Sequence, residues 1–291
     1  MDGRAIGGKR TGFSERPIGI FDSGVGGLAV ARNVARLAPH EPFIYLADSG
    51  RFPYGPRPLE EVRRFTGQAL RFFAEKGTKL VIIACNTATA AALEEASRTS
   101  PMPVVGVIDP GSRAALATHR GPGWLAVLGT KATIDSGAYP RALRGLGFGG
   151  EAAGLACPAF VLAAESGEFE GPAVERMVAD ALGPLVGRRP STVILGCTHF
   201  APLARAISLA LGPDVAIVDP AEETAREALD ILRREGLEAP AAGGGSGAAD
   251  AGAEPVYRFF TSGDPEHFRA VGGRLFGRPI LHVETVDLER Y

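Results

Sequence analysis

The run Val81-Ile82-Ile83-Ala84-Cys85-Asn86-Thr87-Ala88 has a counterpart later in the chain, Val193-Ile194-Leu195-Gly196-Cys197-Thr198-His199. In each copy a stretch of aliphatic residues delivers one cysteine, followed at once by two polar residues. A strand that is apolar at every position is buried on both faces, which calls for a parallel sheet covered by helices. Ligands of open parallel sheets gather beyond the carboxyl ends of the strands, where both thiols stand.

Further landmarks recur on either side of these runs. Ile18-Gly19-Ile20-Phe21 reads as a strand, and Asp22-Ser23-Gly24-Val25-Gly26-Gly27 as a turn opening a helix at Leu28. Trp124-Leu125-Ala126-Val127-Leu128, ending in Gly129-Thr130, repeats that layout. A strand over 104–108, closed by Asp109-Pro110, is echoed by Val215-Ala216-Ile217-Val218-Asp219-Pro220. Ser23 and Thr130, Cys85 and Cys197, and Pro110 and Pro220 each recur about 110 residues apart, the mark of an internal duplication. Two α/β halves facing each other would set the cysteine-bearing strand tips on opposite walls of one cleft.

Other segments support two readings each. The glycines of the 22–27 turn serve either close packing or an anion at a helix N-terminus. Asp22 either caps that helix or handles protons. Phe43-Ile44-Tyr45-Leu46-Ala47 is a strand ending in Asp48, and the following loop is stiffened by Pro53, Pro56 and Pro58. That loop is either a rigid surface turn or a wall of the site presenting Tyr54. Helices are expected over 59–76, 88–97 and 221–235.

With 291 residues, 45% hydrophobic and 22% charged, the chain can bury the cores of two ordinary domains. A net charge of -2 and the lack of a compact Lys/Arg run argue against nucleic acid as a partner. No window is apolar for long enough to span a bilayer. Residues 1–16 are polar and Gly-rich, expected to form a disordered tail rather than a signal peptide. Residues 241–254 are rich in Ala, Gly and Ser and read as a flexible insert. Three cysteines do not make a disulfide framework, so Cys85, Cys157 and Cys197 are expected to be free thiols in a reducing, cytoplasmic compartment. No metal site is expected, since the cysteines lack Cys-x-x-Cys spacing.

One thiolate and one thiol on opposite faces of a carbon can remove a proton from one side and return it to the other. This inverts the centre by general acid–base catalysis and needs no cofactor if preorganised polar groups hold the carbanion. Asn86, Thr87 and Thr198 are suitable donors for a carboxylate, while Asp22 and His199 could tune the thiols. A pyridoxal enzyme is disfavoured because the only lysines are Lys9, Lys76, Lys79 and Lys131, none in a convincing setting. A cysteine hydrolase would use Cys197 as nucleophile and His199 as base, but residues two apart rarely reach that geometry unaided. It also leaves Cys85 without a role, as does a binding protein that takes an amino acid between two lobes. Cys157 is read as a buried structural residue.

Asp22-Ser23-Gly24-Val25-Gly26-Gly27-Leu28, Pro53-Tyr54-Gly55, Ala84-Cys85-Asn86-Thr87-Ala88, Cys157-Pro158-Ala159-Phe160-Val161 and Gly196-Cys197-Thr198-His199 together resemble glutamate racemase. They fall in that family's order, and the resemblance runs from about Pro17 to Val286. It implies cofactor-independent interconversion of L- and D-glutamate, feeding peptidoglycan synthesis, with Cys85 abstracting the proton of D-glutamate and Cys197 that of L-glutamate. Asp22 and His199 match the assisting residues, and Asp48 and Glu165 hold lesser positions. Asp22, Ser23, Pro53, Tyr54, Gly55, Asn86, Thr87, Thr130, Thr198 and His199 are the expected substrate contacts. The implied fold is two pseudo-symmetric, flavodoxin-like α/β domains with mainly parallel sheets and the site in the cleft between them. The expected boundaries are 17–108 with 220–291 for the first domain and 109–219 for the second. Homodimerisation is a further expectation. The chain departs from the family pattern at Ala201, which intervenes before Pro202-Leu203, and at Leu162, where a second proline is usual. An aspartate racemase of the same superfamily is the nearest alternative, because side-chain length is read by pocket shape.

Overall fold

A computed structural model describes residues 12, 14–119, 123–240 and 257–291. The insert expected over 241–254, and residues 1–11 and 13 of the expected tail, lie outside the described residues. The first stretch of chain runs β1 (Ile18–Asp22), α1 (Leu28–Leu37), β2 (Phe43–Ala47), α2 (Leu59–Glu75), β3 (Leu80–Ile83), α3 (Asn86–Thr99) and β4 (Val104–Gly106). There follow α4 (Ile108–Thr118), β5 (Leu125–Gly129), α5 (Lys131–Asp135), α6 (Ala138–Gly145), β6 (Ala152–Ala156), α7 (Pro158–Glu165) and α8 (Pro172–Val186). The chain continues with β7 (Thr192–Gly196), α9 (Ala204–Leu211), β8 (Ala216–Val218), α10 (Ala221–Glu235), β9 (Tyr257–Thr261), α11 (Pro265–Phe276) and β10 (Glu284–Thr285).

The strands form two sheets, ordered β10-β9-β2-β1-β3-β4 and β6-β5-β7-β8, and every pairing is parallel. The β2-β1-β3-β4 part of the first repeats the order of the second, strand for strand. Ile18 lies opposite Phe43 and Leu80, and Leu125 opposite Ala152 and Thr192, so the tips of β3 and β7 are equivalent positions. The duplication is thus visible as topology. The larger sheet is extended by β9 and β10 from the C-terminal segment.

Uninterrupted apolar strands produce cores on both faces. Ile18, Ile20 and Ile82 pack with residues of α1, α10 and α11, while Phe21, Val81 and Ile83 pack with residues of α2 and α3. In the second sheet Leu128, Val193 and Leu195 pack with α7, α8 and α9, while Val127 and Ile194 pack with α4 and α6. The helices after β1 and β3 therefore cover opposite faces, as do those after β5 and β7. Such switch points leave a crevice at the carboxyl ends of the strands.

Two boundaries differ from expectation. β4 stops at Gly106 and α4 begins at Ile108, so Asp109 and Pro110 occupy the first helical turn instead of closing a strand. Proline fits a first turn because its missing N–H is not needed there, and an aspartate complements the helix dipole. Asp219 instead precedes α10 and accepts from the Ala221 N–H at 3.0 Å. Likewise α3 starts at Asn86, two residues earlier than the periodicity predicts, with Cys85 as its extended N-cap.

At the opposite end of the larger sheet, Lys79 and Glu41 form a fully buried ion pair. Lys79 Nζ also donates to the carbonyls of Ser14 and Leu237, and Glu41 accepts from the Ala239 N–H at 2.7 Å. A buried charge pair needs such added partners to offset its desolvation. No helix of the described residues is long and apolar enough to cross a membrane.

Candidate active site

Cys85 and Cys197 stand just beyond β3 and β7, only 5% and 6% exposed, and neither is in a disulfide. Cys85 Sγ lies 3.7 Å from Ser23 Oγ, and Cys197 Sγ lies 3.8 Å from His199 Nδ1. Residues two apart rarely reach such a contact unaided, and here the backbone supplies the aid. Cys197 is extended and a 3-10 turn over Thr198–Leu203 follows at once, folding the imidazole back onto the sulfur. The far side of the ring is also held, since His199 Nε2 lies 2.6 Å from Glu165 Oε2 at the end of α7.

The two walls touch directly. Thr198 Oγ donates to Asp22 Oδ1 at 3.3 Å, and the Val25 N–H points to Glu165 at 3.4 Å. The glycine-rich turn is what allows this approach. A Cβ on Gly26 would lie 2.5 Å from Thr198 Oγ, and one on Gly24 2.8 Å from Glu165. Close packing therefore suffices to explain these two glycines. Asp22 also accepts from the Gly24 N–H at 3.1 Å.

Burial dominates the electrostatics. It raises Asp22 to about 6, against the opposing pull of His199 and of the Gly24 and Gly27 N–H groups. It likewise pushes the Cys85 thiol up to about 12, helped by the negative charge of Asp22 and, more weakly, of Cys197. For His199, burial disfavours the imidazolium, but the hydrogen bonds and charges of Cys197 and Glu165 outweigh it and raise the ring well above its ordinary value. Cys157 is also buried, with its thiol raised to about 12 by burial first and then by Cys197. Its sulfur faces the Leu155 carbonyl at 3.8 Å.

The remaining expected residues divide into two groups. Thr87, Thr130 and the unforeseen Thr133 form a triangle of hydroxyls with separations of 2.9, 3.1 and 2.9 Å. This joins the first turn of α3 to the start of α5 across the halves. Pro53, Gly55 and Thr130 share a cavity of about 320 Å³ with Pro158, Val161 and Leu162, at the departure from the family pattern. Asp48 and Tyr54, by contrast, are engaged with one another. The Tyr54 hydroxyl donates to Asp48, which also accepts from Arg51 Nε at 2.8 Å and Ser262 Oγ at 2.6 Å.

Two tyrosines escaped the sequence reading. The Tyr45 hydroxyl donates to the Gly24 carbonyl at 2.8 Å, bracing the turn. The Tyr139 hydroxyl donates to Asn86 Oδ1 at 2.7 Å from the opposite half. The available signal was a hydroxyl inside an otherwise apolar element, because a buried phenol needs a partner. Among the described residues, no group of three or more His, Cys, Asp or Glu side chains is arranged to hold a metal ion.

Comparison with known proteins agrees with this geometry. Residues 18–228 match the Asp/Glu/Hydantoin racemase family. The glutamate racemase of Symbiobacterium thermophilum is 45% identical over 265 residues, covering 90% of this chain and 91% of that protein. The crystal structure of a Bacillus anthracis glutamate racemase superposes with a TM-score of 0.86 at 38% identity, over 94% of this chain and 98% of the other. That of the Francisella tularensis glutamate racemase in complex with D-glutamate gives 0.84 at 30% identity, over 96% of this chain and 100% of the other. Matched strand tips, paired thiols and these likenesses lead to one assignment: the chain belongs to the Asp/Glu/hydantoin racemase family.

Proposed function

We propose that the protein is a glutamate racemase working by proton transfer between two thiols, Cys197 taking the α-proton of L-glutamate and Cys85 that of D-glutamate. The observation that carries this reading is the placement of two buried thiols on equivalent strand tips of opposing halves. With L-glutamate bound, the Cys197 thiolate removes the α-proton and the Cys85 thiol protonates the opposite face of the carbanion. D-glutamate leaves, and the thiols have exchanged protonation states. The imidazolium of His199, held by Glu165, offsets negative charge at Cys197. Asp22 disfavours the charged form of Cys85, and an incoming ammonium group beside them relieves that repulsion. Asn86, Thr87 and Thr198 supply donors for carboxylate oxygens. Glutamate is favoured over aspartate because the similar racemases named above are glutamate enzymes.

In this reading the protein is cytoplasmic, supplies D-glutamate for peptidoglycan, and is built of lobes 17–108 with 220–291 and 109–219. The test is turnover of L- or D-glutamate in deuterated water. Deuterium at the α-carbon of the product is expected from either enantiomer, and racemisation without it would overturn the two-thiol route.

A further inference from the structure

We infer that Tyr139 is a positioning residue for racemisation: anchored beside the Cys197 strand, it reaches across the cleft and fixes the amide of Asn86, next to Cys85. This rests on the glutamate racemase reading and deepens it.

Tyr139 belongs to α6 of one half and is 1% exposed. Its ring packs over the end of β7, where a Cβ on Gly196 would lie 3.1 Å from Tyr139 Cε2 and 2.8 Å from the Leu128 carbonyl oxygen. The Leu128 carbonyl and Val127 Cγ1, at 2.8 and 2.9 Å, leave no room for a Cβ here, and the absent side chain lets the ring lie close to the residue that precedes Cys197. The hydroxyl meets Asn86 Oδ1 at 2.7 Å, and Asn86 is itself 2% exposed at the first position of α3. One rigid side chain therefore touches the residue before one thiol and the residue after the other.

The chemistry of the amide gives the contact a direction. Burial raises the phenol well above its ordinary range, so it remains a protonated donor. With the Asn86 carbonyl oxygen taken by that donor, the group Asn86 offers a ligand is its NH2, which suits a carboxylate. Without the hydroxyl nothing holds the amide in that orientation, and fixing its NH2 toward the substrate anion then costs binding energy. The loss falls on a contact made equally to the bound substrate and to the carbanion, so it should appear in KM rather than in kcat.

The test is a double-mutant cycle of Tyr139→Phe and Asn86→Ala, measured in both directions. Tyr139→Phe keeps the ring on Gly196 and is expected to fold. It should raise KM about tenfold with kcat within about threefold. Because enantiomers are equal in free energy, kcat/KM must fall equally for L- and D-glutamate. The double variant should be no worse than Asn86→Ala alone, because Tyr139 acts through Asn86. Additive losses, an effect confined to kcat, or wild-type kinetics for Tyr139→Phe would each overturn the assignment. Failure of the wild-type protein to racemise glutamate would instead count against the functional reading itself.

Discussion

Cys85 and Cys197 end equivalent strands of a duplicated fold, but the walls they belong to are built differently. Beyond Cys85 the chain enters the 14-residue helix α3, and the neighbours of the thiol are Ser23 and the buried Asp22. Beyond Cys197 the chain enters a short 3-10 turn that returns His199 to the sulfur, with Glu165 behind the imidazole. One thiol faces an anion that disfavours its ionisation, the other a cation. The duplication thus supplies symmetry of position, while local chemistry assigns each thiol its own resting environment. A mirror-image pair of substrates asks for two bases in space, but not for two identical bases.

The strongest challenge to this comparison is removal of either sulfur. Cys85→Ser and Cys197→Ser should each cut kcat by about 10³-fold or more, in both directions, since each thiol is base in one direction and acid in the other. A variant of either cysteine that racemises at close to the wild-type rate would show that the walls do not act as a pair.

Next in size is the support behind Cys197. Glu165→Gln should lower kcat/KM about 100-fold. It should also destabilise the fold by about 1–2 kcal/mol near pH 6 in urea unfolding. The folded pKa of His199 is raised, so the stability tied to its protonation is complete below its unfolded value near 6.5 and is lost as pH rises through the folded value. The penalty of Glu165→Gln should therefore shrink at high pH. A penalty independent of pH would contradict the ion pair.

Asp22→Asn probes the other wall and should have opposite signs for activity and stability. The carboxyl is raised from 3.8 to about 6, so the stability of its protonated form is complete below pH 3.8 and is lost as pH rises through about 6. Replacing it should stabilise the protein at pH 8 by up to about 3 kcal/mol while slowing racemisation about tenfold. Equal stability of the two proteins at pH 8 would mean that Asp22 is not held charged at a cost. The smallest effect belongs to the third thiol. Cys157→Ala should change kcat/KM less than about threefold and cost about 1 kcal/mol of stability, read by kinetics and thermal unfolding.

Much of the sheet architecture was legible because buried parallel strands leave a plain trace: Val81-Ile82-Ile83 and Val193-Ile194-Leu195 have no polar position to confuse the reading. What escaped depends on contacts between segments distant in sequence. Glu165 and His199 are 34 positions apart and Asn86 and Tyr139 are 53 apart, and no periodicity links them. The glycines of the 22–27 turn illustrate the same limit, since the turn composition fits an anion site as well as close packing. The 2.5 Å approach of Gly26 to Thr198 and the 2.8 Å approach of Gly24 to Glu165 separate the two. The matching Asp-Pro pairs mislead for a local reason: Pro110 fits inside a first helical turn, whereas Pro220 stands just before one.

The most direct test is a crystal structure of the protein with D- or L-glutamate bound. The α-carbon is expected between the two sulfurs, with Cys85 and Cys197 on opposite faces, each about 3.5 Å away. A substrate seated against one sulfur with the other turned to a separate pocket would contradict the account.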